Sequence, residues 1–206
     1  MERFIAFSRV CPHVKGAMRG SPIELEPWQQ FAFSCILGFK VKATGRRKYT
    51  SAFIEVPRKI AKSTVAAILA NWFLVMENGQ QDIYTAAVSR DQARIVFDDA
   101  RQMCLLSRPL RKRVNIQAHK VIHPKTNSLL TPLAAKAATI EGKTRVLPLW
   151  MNITCTLTTG FIPRLNWEWG RVQRGYYLPS PHRGATLFQP VNNTTTIAAR
   201  YWMVKR

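Results

Sequence analysis

The chain has 206 residues, with 31 Lys and Arg against 11 Asp and Glu, a net charge of +20 and a pI near 10.7. That surplus is the footprint of a polyanionic partner, nucleic acid first, and no uninterrupted apolar run reaches the length that would make a membrane the better candidate. A hydrophobic fraction of 47% is enough for a core, and the length suits one α/β domain or part of a larger one.

Cys11, Cys35, Cys104 and Cys155 form no C-x-x-C pair, and His13, His119, His123 and His182 are scattered. Reduced core thiols and ordinary histidines follow, with no metal centre. The opening MERFIAFSRV has a short apolar run and no small-residue cleavage site, so no secretory signal is expected and a cytoplasmic location is.

Residues 1–20 predict a helix and a turn. Pro27-Trp28-Gln29 then opens a helix through Leu37, because proline suits the first helical turn. Trp28 and Gln29 could receive an adenine ring by stacking and amide hydrogen bonds; a tryptophan packing the helix onto a sheet explains the same residues. KVKATGRRK at 40–48 is a basic turn between extended segments, suited to phosphate-backbone contact or simply to solubility.

Residues 51–56 read as a strand buried on both faces, stopped by Pro57, which cannot donate to a sheet ladder. Lys62-Ser63-Thr64 opens the next helix, and from 65 to 76 only Asn71 is polar. Strand, tight loop and a Lys-Ser/Thr at a helix start is the layout of a nucleotide phosphate site. Backbone N–H groups hold the anion, the lysine meets the outer phosphates, and a hydroxyl holds magnesium. The usual G-x-x-x-x-G-K-[ST] spacing places glycines where this chain has Val56 and Ala61, so a basic surface turn before a core helix competes with that reading.

Asn78-Gly79 stops the helix, and DIYTAAV at 82–88 reads as a second buried strand. Ser89 and Gln92 have capping-box spacing. Ala93, Val96, Phe97, Ala100, Met103 and Cys104 then repeat on one helical face, up to the break expected before Pro109. RPLRKR at 108–113 is a second basic patch, followed by short extended pieces at 114–116 and 120–122. Alternating strands and helices predict an α/β fold with a parallel, doubly wound sheet.

EPWQQF, then EVPRKIAKST with its apolar helix, then IYTAAVSRDQA, in this order and at these distances, resemble the large terminase subunit of tailed bacteriophages over roughly residues 20–143. The resemblance implies an incomplete P-loop-type parallel sheet with flanking helices and an ATP-driven DNA-packaging function in a phage or prophage. Pro57, Arg58, Lys59, Lys62, Ser63 and Thr64 match the family's P-R-K-x-G-K-[ST] loop, with Ala61 at its usual glycine. By the same resemblance Lys62 neutralises the β/γ-phosphates, Ser63 holds magnesium, Arg58 or Lys59 senses γ-phosphate charge, and Trp28 and Gln29 match the adenine-contact segment. The implied cofactors are ATP and Mg2+. The implied partners are double-stranded DNA, the small terminase subunit and the portal protein, in the cytoplasm of a bacterial host. The intact family also carries a C-terminal metal-dependent nuclease domain, which these 206 residues do not supply.

After residues 139–143 the family pattern calls for a strand ending in Asp-Glu, for magnesium and for the attacking water. Here LPLWMN at 147–152 has no acid. The composition changes at the same point: residues 144–206 hold one acid, Glu168, eight Lys and Arg, and four of the six tryptophans. Trp150-Met151-Asn152 must be encoded TGG-ATG-AAY. Read from the last base of each preceding codon, those bases give an apolar residue, then Asp, then Glu. A base lost near Lys143 is therefore expected, leaving 1–143 as a partial ATPase domain and 144–206 as an irregular, aberrant tail. Such a chain binds nucleotide without turning it over. The competing readings are an authentic divergent tail, a fragment of another P-loop nucleic-acid ATPase, and a basic DNA-binding protein without ATPase activity.

Overall fold

The computed structural model describes residues 2–45, 47–49, 51–55, 60–87, 90–134, 146–152, 154–158, 187–190 and 196–200. Helix α1 (Glu2–Val10) buries Phe4 and Phe7, whose rings both meet Trp72 edge-on at 5.3 Å. A turn then brings Pro12 beside Pro22 and leads to α2 (Pro27–Gly38), which starts at the expected proline. Residues 39–49 fold back on themselves through an antiparallel Lys40–Arg47 bridge before β1 (Ser51–Glu55).

Helix α3 (Lys62–Met76) is apolar around its whole circumference and is accordingly buried on nearly every side. Its single interior polar residue is satisfied: Asn71 Nδ2 donates to the Ala100 carbonyl at 3.1 Å. Strand β2 (Asp82–Ala87) follows, then α4 (Arg90–Leu106). The six α4 residues expected to share a face are all fully or almost fully buried. Each large side chain so buried, such as Phe97 or Met103, stabilises the fold by about 1.5–3 kcal/mol. Ser89, expected to cap α4, lies outside the described residues.

Pro109 does not end the helical region. It occupies the first turn of a new helix, α5 (Arg108–Arg111), where its missing N–H costs nothing. The short strands β3 (Asn115–Ile116) and β4 (Val121–His123) form a hairpin, and β5 (Ser128–Ala134) returns through a turn at 124–127. The tail contributes β6 (Val146–Asn152), β7 (Thr154–Thr158), β8 (Leu187–Pro190) and β9 (Thr196–Arg200).

Among the described residues the sheet runs β3-β4-β5-β2-β6-β7-β1-β9-β8. Strand β2 lies parallel to both β5 and β6, with α4 crossing over between β2 and β5. The sheet is α/β with flanking helices, as expected, but it is mixed rather than wholly parallel. Strands β3, β4 and β5 pair antiparallel because their connections are too short for a crossover, which takes a dozen or more residues. Strands β1 and β2 are not neighbours; β6 and β7 stand between them.

Candidate functional site

The site is built where β1 gives way to α3. Pro57, Arg58 and Lys59 lie outside the described residues. Ile60 leads into Ala61, whose φ of 43° and ψ of 23° are left-handed. Only one other described non-glycine residue, Asn127, has positive φ. Glycine adopts this conformation without steric cost, whereas a Cβ is crowded by the carbonyl oxygen. Ala61 thus stands at the position where the family has glycine, in a backbone conformation that glycine serves best.

Ala61 is also the N-cap of α3, and it has no side-chain oxygen to offer the helix. The Val65 N–H bonds to the Ala61 carbonyl at 2.9 Å, the first bond of the helix ladder. The N–H groups of Ser63 and Thr64 precede that bond and have no carbonyl inside α3. Lys62, Ser63 and Thr64 form the first turn, all half-buried, and the turn contains no acid. The positive end of a 15-residue helix dipole, a lysine and two hydroxyls therefore share one helical turn. Directly behind them residues 65–70 are buried, so the turn is fixed on a rigid support.

Trp28 and Gln29 sit on the first turn of α2. Trp28 is half-buried and packs against the hydrophobic core, as the competing reading of this residue anticipated. Gln29 is buried, and its Oε1 accepts the Glu26 N–H at 2.9 Å, satisfying one of the helix's unpaired ends. Three supporting links were not foreseen. Cys104 donates its thiol to Asn71 Oδ1 at 3.2 Å, joining α4 to α3. Arg47 pairs with Glu77 just past α3 and lies 4.7 Å over the Phe73 ring. Lys15 reaches the buried Asp99 at 2.6 Å. The lone polar residue in an apolar helix was the only sequence signal for the first; nothing local marked the other two.

No described helix is long and apolar enough to cross a membrane, and among the described residues no group of three or more His, Cys, Asp or Glu could hold a metal.

Residues 27–149 match the family described as "Terminase large subunit, ATPase domain", which places this fold and its helix-start site in the class of ATPase domains. The match stops one residue short of Trp150. The chain belongs to the terminase large-subunit family. It is 31% identical to the large terminase subunit of Enterobacteria phage HK97 over 153 residues, 72% of this chain and 29% of that protein. The crystal structure of the HK97 large terminase superposes with a TM-score of 0.59 at 28% identity, over 72% of this chain and 30% of that one. The chain thus corresponds to less than a third of the length of the relatives it matches.

Proposed function

We propose that this chain is an ATPase-domain portion of a packaging terminase that keeps the nucleotide cradle but does not translate the catalytic acid pair. The observation that carries the cradle is Ala61, a left-handed residue leading directly into the acid-free turn Lys62-Ser63-Thr64. A helix start of this kind suits the phosphates of ATP, because N–H groups and dipole act on the same anion. In this reading Lys62 neutralises the β- and γ-phosphates, Ser63 holds Mg2+, Thr64 supports the same turn, and Arg58 or Lys59 offsets γ-phosphate charge. The metal, when bound, bridges and neutralises phosphate oxygens. Trp28 and Gln29 receive the adenine, with the Gln29 amide oriented by its bond to the Glu26 N–H.

The loss of activity rests on β6. This strand lies parallel beside the central β2 and contains no acid. In the shifted frame the codons of Trp150-Met151-Asn152 place Asp-Glu at its end, where the family needs them. Double-stranded DNA, the small terminase subunit and the portal are the partners of the intact protein, and this chain meets them only as far as its ATPase portion does.

The test is to measure binding of a fluorescent ATP analogue and ATP turnover by the whole chain and by Lys62→Ala. Binding that Lys62→Ala abolishes, with no turnover, is expected. Steady hydrolysis lost in Lys62→Ala would overturn the inactivity, and absence of any nucleotide binding would overturn the site. Sequencing the coding locus tests the frame: the idea fails if no open Asp-Glu frame continues downstream.

A further inference from the structure

The two basic patches of the sequence differ in the folded chain. In the 40–48 turn, Arg47 is committed to Glu77 and Phe73, and Lys48 stacks over Tyr49 at 5.6 Å. The second patch is built differently. Between Gln102 and Ala134 the sequence contains six Lys and Arg and no acid. All six, Arg108, Arg111, Lys112, Arg113, Lys120 and Lys125, are exposed, and none forms an ion pair among the described residues.

Topology gathers them. They lie on α5, on the turn after it, and at both ends of β4, around the edge of the sheet formed by β3. Asn115 pairs with Ile122, so Arg113, two residues earlier, arrives level with the turn that holds Lys125. Arg101 Nε donates to the Gln117 carbonyl at 3.1 Å and fixes the β3–β4 turn against α4. Burial first, then the charges of Arg113 and Lys125, hold His123 below its ordinary pKa, which places both cations within reach of one side chain.

We propose that this β3 edge, with α5, is a face that binds the phosphate backbone of duplex DNA, separate from the nucleotide cradle. Six strand-to-strand steps separate β3 from β1, about 29 Å at the usual strand spacing of roughly 4.8 Å. Protein interfaces are anchored by aromatic and apolar residues, and here Leu106 is the one large apolar side chain in the segment that is exposed. Polyanion binding needs no such anchor, since it is driven by counterion release. The choice of DNA as the polyanion rests on the terminase reading; the location of the face rests on charge and topology alone.

The test compares the full chain with the triple variant Arg111→Gln, Lys112→Gln, Arg113→Gln, and with Lys40→Gln, Lys42→Gln as a control. Duplex DNA affinity is followed by anisotropy across a salt series. The slope of log K against log salt should fall by about 2.7 in the triple variant, at roughly 0.9 for each phosphate no longer neutralised. The control should change it less, and binding of the ATP analogue should stay as in the parent chain. Saturating DNA should also raise the His123 pKa followed by NMR, because phosphate offsets the two neighbouring cations. Unchanged affinity and slope in the triple variant, with His123 unmoved, would overturn the proposal and leave the face to an acidic protein. DNA binding that fails in the triple variant while nucleotide binding persists supports it. Loss of nucleotide binding in Lys62→Ala bears on the cradle alone.

Discussion

Asn71 and Cys104 meet across the α3–α4 interface, the thiol donating to Asn71 Oδ1 while Asn71 Nδ2 donates to the Ala100 carbonyl. Both residues are completely buried, so the interface is joined by polar bonds inside an apolar layer. Asn71→Ala should destabilise the chain by about 2–3 kcal/mol, from a cavity and an unmet carbonyl, read as a lowered urea midpoint. Asn71→Asp should cost more at neutral pH, since no cation faces the position among the described residues, and should recover as acid protonates the buried carboxyl. An unchanged midpoint in both variants would remove the pair from the fold's support.

Ala61 gives a prediction of opposite sign. Replacing it by glycine removes the Cβ from a left-handed position and should stabilise the chain by about 0.5–1 kcal/mol, despite the greater freedom gained by the unfolded chain. Ala61→Val should destabilise by more than that, because a β-branched residue tolerates positive φ worst. Thermal midpoints of the two variants moving in the same direction would contradict the assigned backbone conformation.

The thiols should react unequally. Burial pushes Cys104 up to about 12 and raises Cys11 further, while Cys35 is half-exposed and raised by partial burial. In a Cys155→Ser background, a thiol reagent near pH 8 should modify Cys35 alone in the native chain, and Cys11 and Cys104 only after denaturant is added. Rapid native labelling of all three would be incompatible with the core described.

His123 makes stability depend on pH. Its Nδ1 is 2.8 Å from Thr126 Oγ1, which is 2.6 Å from Ser128 Oγ, and Ser128 Oγ accepts the Gln81 N–H at 3.0 Å. Burial, Arg113 and Lys125 lower the folded pKa below the ordinary 6.5. Above pH 6.5 the ring is neutral in both states and contributes no pH dependence. As pH falls below 6.5 the unfolded chain takes the proton first, so stability declines until the folded ring also protonates. The denaturant midpoint should therefore drop less between pH 7 and pH 5 in His123→Gln than in the parent chain.

The helices were the most legible part of this sequence because their signals are local. Pro27 marks the start of α2, the apolar run marks α3, and Ala93 to Cys104 at helical spacing mark the buried face of α4. Pro109 misled, since the same ring that breaks a helix interior is welcome in a first turn, and only the chain's path separates the cases. The antiparallel hairpins were hidden for a related reason: a strand's direction depends on connection length and partner, and β3 and β4 are too short to show a pattern. Within the candidate site, Lys62, Ser63 and Thr64 were readable as one turn. The left-handed angle at Ala61 was not, because it is a backbone property at a residue type that seldom shows it.

Arg47 and Glu77 stand 30 residues apart and close β1, the segment after it and α3 into a ring of chain. Helix α3 is then a rod of about 22 Å, from its 15 residues, with Lys62 at one end and this clasp at the other. A push on the first turn travels down the rod to Glu77 and returns through Arg47 to the entry of β1. In a motor subunit, such a ring couples displacement at the phosphate end mechanically to the exposed cationic turn at 40–48.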